Sequence, residues 1–381
     1  MSWIFGLIKR IMIKKICLVC VLLVLACYSM AQHEVSQTEM ASIYEQIKTP
    51  YKYGLVVAPE DNNHKIDCPT VFRYQGKWYM TYLVYDGKDW TNGRGYETWI
   101  AHSDDLLNWN TIGRILSFRD GFWDMNQRGG FPALADMEWG GSYTLWPHDG
   151  KYWMTYIGGA SRGYEADPLK IGLASISEEY LGQGIEWESL GRPLLSSDDK
   201  NAQWFEEITQ YKSVIYRDKD EVLGVPFVMF YNAKGRHPQT GLKAERIGIA
   251  LSKDLKTWER YPANPVFALE SENAITGDAH IQKIGNIYVM FYFRAHDPTR
   301  KYKAYNTFAC SYDMVNWYEW KGDDLVIPGN KYDDKYAHKS YVINHDGIVY
   351  HFYCAVNQLD QRGVAVATSK PVGESTLHFP K

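Results

Sequence analysis

The chain has 381 residues, with 41 Lys and Arg against 45 Asp and Glu, for a formal net charge of −4. This acidic balance, without a block of basic residues, argues against binding to nucleic acid or to an anionic membrane surface. Aromatic residues are dense, with 14 Trp and 29 Tyr; such residues favour β-strands and can also stack on sugar rings.

The first 31 residues have the pattern of an export signal. Basic residues between positions 9 and 15 precede an apolar run at 16–26, and Ser29-Met30-Ala31 supplies the small residues that a signal peptidase reads. The apolar run is short for a membrane-spanning helix. Leu25-Ala26-Cys27 also resembles a lipoprotein cleavage site. We therefore expect an exported protein, periplasmic or extracellular, that is either free or lipid-anchored at Cys27, with no membrane-spanning segment in its mature chain.

Beyond this segment, a hairpin motif recurs along the chain. It consists of an apolar, aromatic strand, a turn containing Gly, and a second aromatic strand that ends in Tyr. The five copies are Cys68–Tyr82, Ser142–Tyr156, Tyr211–Tyr231, Asp278–Tyr292 and Lys339–Tyr353.

A second motif follows each hairpin. It is a short apolar strand, then Ser-x-Asp, then a Trp four residues later; the Ser and Asp side chains suit a turn because they can bond local backbone groups. Clear copies are Ile100–Trp109, Ile249–Trp258 and Phe308–Trp317, with a degenerate copy at 171–187 and a truncated one at 364–369.

Together the two motifs give four strands per repeat, five times over. The sequence therefore predicts an all-β protein, a five-bladed β-propeller with four-stranded antiparallel blades around a central funnel. A two-sheet sandwich is the alternative, and five paired motifs fit it poorly. The predicted division is a signal peptide at 1–31, an N-terminal extension at 32–50 with a short helix over Glu39–Lys48, and the propeller at 51–381.

Acidic residues gather near the start of the first strand of several repeats, where a propeller opens to its central channel. When the hairpins are aligned on their final Tyr, Asp67, Asp278 and His338 occupy comparable positions. Glycoside cleavage needs two carboxyl groups on either side of the bond. The arrangement therefore predicts carboxylate chemistry at this end of the channel.

Three of these acids are predicted to be catalytic. Asp67 is the candidate general base, because an Asp at the start of an apolar strand is hard to explain by packing; a turn cap is the alternative. Glu207 is the candidate general acid, since its bulky apolar neighbours would raise its pKa, and Glu206 competes for that role. Asp278 would hold up the pKa of the acid or anchor a substrate hydroxyl.

Other residues are predicted to bind substrate. Lys339 can bind a sugar hydroxyl or carboxylate, and His338 can act as an acid or ligate a channel metal. No metal-ligating set is evident from spacing, so no cofactor is expected, and a structural Ca²⁺ in the central channel stays open. The remaining substrate-binding candidates are Glu206, Asp136, Glu138, Trp90 and Trp204.

From about Tyr51 to Ser369, the repeats resemble the five-bladed propeller glycosidases of glycoside hydrolase families 43, 62, 32, 117 and 130. Asp67 shortly before Pro69, with Gly76-Lys77-Trp78-Tyr79 after it, is similar to the first-blade base motif of family 43, the closest in motif layout. That resemblance implies an Asp base, an Asp that modulates the acid's pKa in blade two, and a Glu acid in blade three. The sequence departs from the motif where Cys68 separates Asp67 from Pro69.

The predicted function is an exported glycoside hydrolase that acts on side chains of polysaccharides or oligosaccharides, with arabinofuranosides and xylosides as candidate substrates. A glycoside phosphorylase and a non-catalytic glycan-binding propeller are the alternatives. Two carboxyl groups across an open funnel would favour an enzyme, whereas aromatic rings without such a pair would favour a lectin. We expect a monomer whose partner is carbohydrate.

Overall fold

The computed structural model describes residues 34–91 and 93–381, so the predicted signal sequence and Cys27 lie outside the described residues. Helix α1 (Gln37–Ile47) confirms the short helix expected at 39–48. Two short 3-10 helices lie at Glu178–Tyr180 and Trp204–Glu206. None of the helices within the described ranges has the length and apolar character that a bilayer crossing needs.

Strands make up most of the described chain. They are β1 (Tyr51–Val57), β2 (His64–Tyr74), β3 (Lys77–Asp86), β4 (Tyr96–Ser103), β5 (Asn110–Leu116), β6 (Gln127–Pro132), β7 (Lys151–Gly159), β8 (Lys170–Ser177), β9 (Glu188–Ser189), β10 (Thr209–Arg217), β11 (Phe227–Arg236), β12 (Lys243–Ser252), β13 (Glu259–Arg260), β14 (Ile275–Ile284), β15 (Ile287–Ala295), β16 (Ala304–Ser311), β17 (Tyr318–Glu319), β18 (Tyr336–His345), β19 (Ile348–Val356) and β20 (Arg362–Thr368).

These strands form antiparallel groups of four. Strands β2–β5 and β6–β9 form two four-stranded sheets, and β18–β20 form a third with β1. Strands β10–β17 form an eight-stranded sheet, but its halves β10–β13 and β14–β17 meet only at one parallel bridge between Glu245 and Ile275. We call the five groups units one to five, in the chain order of their first strands.

Each unit contacts the next in chain order. The first strands β2, β6, β10, β14 and β18 are called the inner strands below. Contacts join β6 to β10, β10 to β14, β14 to β18, and β18 back to β2. Strand β1 pairs with β20, so residues near the two ends of the described chain lie in one sheet.

The Ser-x-Asp prediction is confirmed in atomic detail. In unit one the Ser103 hydroxyl accepts backbone N–H bonds from Asp105 and Leu106, and the Asp105 carboxylate accepts the N–H groups of the next two residues. The Trp109 ring nitrogen then donates to the Leu106 carbonyl at 3.1 Å. The same bonds recur at Ser252–Trp258 and Ser311–Trp317, so each turn fixes a Trp against its own unit.

Four of the inner strands carry a β-bulge near the end where they begin. The register shifts between Asp67 and Thr70 in β2, and at equivalent points of β10, β14 and β18. Cys68, Asp278 and Lys339 begin three of these bulges with φ of 48°, 60° and 62°. A bulge re-aims the side chain that it carries. The register predicted for Asp278 is therefore one residue off, because Asp278 is equivalent to Cys68 and Lys339 rather than to Asp67.

The hairpin predicted at Ser142–Tyr156 is wrong. Strand β7 pairs instead with β6, and residues 133–150 form an excursion whose Leu134 N–H bonds the Ile215 carbonyl of the next unit. The reason is the Gly129-Gly130 pair in β6, which lowers strand propensity and so hid this strand in the sequence. A Cβ on Gly130 would lie 2.3 Å from the Met154 sulfur, so close packing requires glycine there.

Removal of β1 should destabilise the fold, since β20 would then lose its hydrogen-bonded neighbour and become an exposed edge. We expect a chain that begins at residue 58 to melt far below one that begins at residue 49, which lacks only α1. Thermal unfolding followed by circular dichroism, with a chain that begins at residue 34 as reference, measures the difference. Equal melting temperatures for the chains from 49 and 58 would contradict this role of β1.

Candidate active site

A cavity of about 190 Å³ lies where the bulged ends of the inner strands meet. The bulge residues of four inner strands contribute Cys68, Tyr211, Lys212, Asp278 and Lys339 to its wall. Its other charged or titratable lining residues are Glu165, Glu245, His296, His338 and Arg362. The bulges therefore turn side chains from separate units towards one space.

Asp67 anchors a buried charge cluster beside this cavity. Its side chain has no exposed surface, and its Oδ2 atom accepts bonds from Lys339 Nζ at 3.0 Å and Arg362 at 2.8 Å. The Tyr164 hydroxyl donates to the same oxygen at 2.5 Å and accepts from Arg362 at 2.5 Å. All of these partners line the cavity, whereas Asp67 itself does not.

The charges in this cluster fix each other's protonation. Burial alone would raise the pKa of Asp67, but the Lys339 ammonium and the Arg362 guanidinium hold it well below its usual range. Burial likewise opposes the charge on Lys339, and the Asp67 carboxylate overrides it and raises the pKa of Lys339. Burial and the Arg362 charge lower the pKa of His338 to about 3, so its ring is neutral.

Glu245 has the opposite character. It lies at the cavity end of β12 and is 6% exposed, and its carboxyl oxygen accepts a bond from the Asn232 amide at 2.7 Å. Burial raises the pKa of Glu245 to about 8, and the charges of Glu165 and Asp278 add to that shift. Glu245 is therefore a protonated acid near neutral pH, as a proton donor to a leaving group must be.

Glu165 faces the same cavity from the loop between β7 and β8. Its Oε1 atom accepts a bond from Lys339 Nζ at 2.9 Å and lies 3.2 Å from the Tyr96 hydroxyl. Its backbone has φ of 46°, in the left-handed region that is uncommon for Glu. Such strained residues concentrate at functional sites.

A second cavity, of about 390 Å³, adjoins the first. The two share Glu245, Ile275 and His296 in their walls, and Lys234 and Lys243 line the second one only. The protonated carboxyl group of Glu245 therefore stands at the junction between a small and a larger space.

Three of the predicted site residues line the first cavity: Asp278, His338 and Lys339. Asp67 lies just outside it, in the wall. The Trp90 ring packs edge-on against Tyr164 with centroids 4.6 Å apart, so it supports the wall without lining the cavity.

Glu206, Glu207 and Trp204 do not reach this cavity. Glu206 is fully buried and accepts two bonds from Arg260, at 2.8 and 3.0 Å, together with the Tyr231 hydroxyl at 2.6 Å. Those contacts explain a structural acid. Glu207 is exposed and accepts the Arg236 backbone N–H at 3.3 Å, while Trp204 packs edge-on against Phe205.

Asp136 and Glu138 lie elsewhere, in the excursion of unit two. Together with Lys283, they line a separate depression. Lys283 is near the end of β14, whereas Asp278 of the same strand reaches the first cavity. Along that strand, the two acids therefore belong to the far end of the channel.

Sequence reasoning missed Glu165, Glu245, Lys212 and Arg362. Glu245 carried a usable signal, because it alternates in phase with Ile247 and Ile249, which are core residues. Arg362 begins a strand that was read only for its apolar residues. Glu165 lies in a loop outside both repeated motifs and carried no signal.

Within the described residues, one group could bring three ligand atoms together on a metal ion: Asp67, His338 and Cys354 lie within 4.8 Å of one another. Calcium prefers six to eight oxygen ligands, and this group offers one carboxylate beside an imidazole and a thiol. Lys339 and Arg362 already occupy Asp67. The group therefore does not fit the channel Ca²⁺ considered from the sequence.

Two solved structures are highly similar to this protein. One is described as a complex of BT0996 and RGII, with 67% identity and a TM-score of 0.90, and the match covers 91% of the present sequence and 99% of that structure. The other is described as a glycoside hydrolase, with 66% identity, a TM-score of 0.90 and the same coverage. No family model and no curated protein matches the sequence.

More distant structures share the fold. A thermostable family-43 glycoside hydrolase has 16% identity and a TM-score of 0.55, with 84% of the present sequence and 96% of that structure covered. Glycosidases of families 117 and 130 are also among the matches. The resemblance to this group of propeller glycosidases is therefore confirmed.

Replacement of Asp67 by Asn should destabilise the protein, because it leaves Lys339 and Arg362 buried without their anion. We expect Asp67→Asn to lower the free energy of unfolding by about 3–5 kcal/mol at neutral pH. The loss should shrink below about pH 4, because a depressed pKa contributes stability only while the carboxyl group is ionised. Chemical denaturation measures it, with the exposed Asp104→Asn as control. An unfolding free energy equal to that of the wild type would contradict the anchoring role.

Proposed function

This protein belongs to the glycoside hydrolases, and we propose that it removes a single terminal sugar with Glu245 as proton donor and Glu165 as the second carboxylate. The observation that carries the proposal is the pairing of these two groups in one cavity, where Glu165 helps to raise the pKa of Glu245. Glycoside cleavage requires one protonated carboxyl group and one carboxylate across the bond. A lectin has no need of such a pair.

The two environments support different roles. Glu245 would protonate the leaving oxygen, because burial keeps its carboxyl group neutral. Glu165, bonded by Lys339, would attack the anomeric carbon or activate water. Asp67, the base expected from the sequence, takes a positioning role in this proposal, since its oxygen is occupied by Lys339 and Arg362.

Cavity size supports cleavage at the end of a glycan. The first cavity, of about 190 Å³, is smaller than the roughly 300–1,000 Å³ of pockets that take drug-sized ligands, so it suits one sugar ring. The second cavity begins at Glu245 and would take the leaving part of the substrate. The scissile oxygen would then lie beside the proton donor.

We propose RGII as the source of the substrate. The support is the description of the 67% identical structure, which names RGII, together with a match over 99% of that structure. A terminal sugar of that glycan would occupy the first cavity.

The finer fold and the location also belong to this proposal. The return contact from β18 to β2, together with the pairing of β1 with β20, supports a closed five-bladed propeller around a central channel. The pattern of residues 1–31 supports export, either free or anchored at Cys27.

A phosphorylase on the same fold would need free cations to hold phosphate. Three line the cavity, but Lys339 and Arg362 are bonded to Asp67. Lys212 alone would be left for phosphate, which favours water as the acceptor.

Glu245→Gln and Glu165→Gln should each lower kcat on an RGII-derived oligosaccharide by about 10²–10⁴-fold, the range for loss of acid–base catalysis. Chromatography of the released monosaccharide measures the rate. Glu207→Gln distinguishes the structural assignment from the one made on sequence, and we expect it to keep the wild-type rate. A loss with Glu207→Gln but not with Glu245→Gln would overturn the assignment.

The pH profile should report the proton on Glu245. Because the donor must be protonated, we expect kcat/KM to fall as the pH rises through the Glu245 pKa of about 8. A steady-state profile from mildly acidic to strongly basic pH checks this expectation, while circular dichroism at each pH shows whether the protein stays folded. Activity that stays constant far above that pKa would argue against Glu245 as the acid.

A further inference from the structure

Lys212 has no hydrogen-bond partner among the described residues, although it lines the first cavity. Its side chain is 3% exposed, and its ammonium group lies 5.1 Å from the centre of the Phe131 ring. A buried ammonium without a hydrogen-bond acceptor is costly. Its position therefore indicates a ligand that supplies an acceptor.

Asp278 offers the complementary group. Its Oδ1 atom accepts a bond from the Asn232 amide at 3.2 Å, and its backbone N–H donates to the Asn232 side-chain oxygen at 3.0 Å. Its Oδ2 atom is 3.8 Å from Lys212 Nζ and 3.8 Å from the Cys68 sulfur, which is a weak donor. Asn232 thus fixes the carboxylate while Oδ2 keeps room for a stronger donor.

We propose that Lys212 and Asp278 together bind one hydroxyl group of a neutral sugar in the first cavity. A hydroxyl group can accept a bond from Lys212 and donate its own hydrogen to Asp278 Oδ2 at the same time. A sugar carboxylate could satisfy Lys212 only, and it would face the Asp278 charge. The proposal rests on the proposed function in one respect, that a sugar occupies this cavity.

The charge of the whole site agrees with a neutral ligand. Two cations, Lys339 and Arg362, are bonded to Asp67, and Lys339 also pairs with Glu165. Lys212 and Asp278 are then left facing each other. The cations and carboxylates at the cavity are Lys212, Lys339 and Arg362 against Asp67, Glu165 and Asp278. They balance, and no net positive charge remains to attract an acidic sugar.

Direct binding tests the proposal without the need for turnover. Isothermal titration calorimetry would measure the affinity of the wild type for L-arabinose, D-xylose, L-rhamnose, D-galactose, D-galacturonic acid and D-glucuronic acid. We expect a neutral sugar to bind most tightly. Lys212→Met, which keeps the apolar stem, and Asp278→Asn should each weaken its binding roughly 10- to 100-fold, as loss of a charged hydrogen bond does.

Two further measurements separate recognition from structural damage. Lys283→Met makes the same change at the far end of β14, where Lys283 pairs with Asp220 at 2.7 Å, and should bind the sugar as the wild type does. Among the monodeoxy analogues of the preferred sugar, one should bind the wild type about as weakly as the parent sugar binds Lys212→Met. For that analogue, Lys212→Met should cost little more.

The outcomes distinguish this inference from the proposed function. Lys212-dependent binding of a neutral sugar without cleavage of an RGII-derived oligosaccharide would support the inference and overturn the function. Cleavage combined with wild-type sugar affinity in a folded Lys212→Met variant would do the reverse. Tightest binding of a uronic acid, or no binding of any of the six sugars, would also overturn the inference.

Discussion

The extra residue in four inner strands is the constraint on which the site depends. A regular strand alternates its side chains between two faces, so it cannot direct two consecutive residues as these strands do. The bulges break that alternation near the cavity, and Cys68, Asp278 and Lys339 accept a left-handed backbone there. Groups far apart in the sequence thereby meet at one place, while the strands beyond the bulges keep regular pairing and an apolar core.

Burial then sorts the acids of the site into two kinds. Asp67 gains two cations and stays ionised, whereas Glu245 has only an amide as hydrogen-bond donor and holds its proton. The same low-dielectric surroundings produce both results, because the partner decides which form is stable. Two carboxyl groups of different protonation state are the requirement for acid–base cleavage of a glycoside. The cluster around Asp67 also orients Lys339, which bonds Glu165 and so links the two parts.

The sequence was sufficient for the repeated hairpins, the Ser-x-Asp turns and the antiparallel units of four strands, because each has a local signature in side-chain type and spacing. Unit two was misread since Gly129-Gly130 packs against Met154 and Leu83, a tertiary reason for glycine that local propensity does not contain. The candidate acids were sought only near first strands. Glu245 on a third strand and Glu165 in a loop were missed, and Glu206 was taken for a site acid although Arg260 explains its burial.

The central claim is that a terminal sugar lies between Glu165 and Glu245. A crystal structure of the Glu245→Gln variant with an RGII-derived oligosaccharide tests it most directly. The account predicts one sugar ring in the small cavity, the glycosidic oxygen within hydrogen-bond distance of the side chain at position 245, and Glu165 facing the anomeric carbon. An oligosaccharide bound beside Glu207 or in the depression at Asp136, with the small cavity free of sugar, would contradict it.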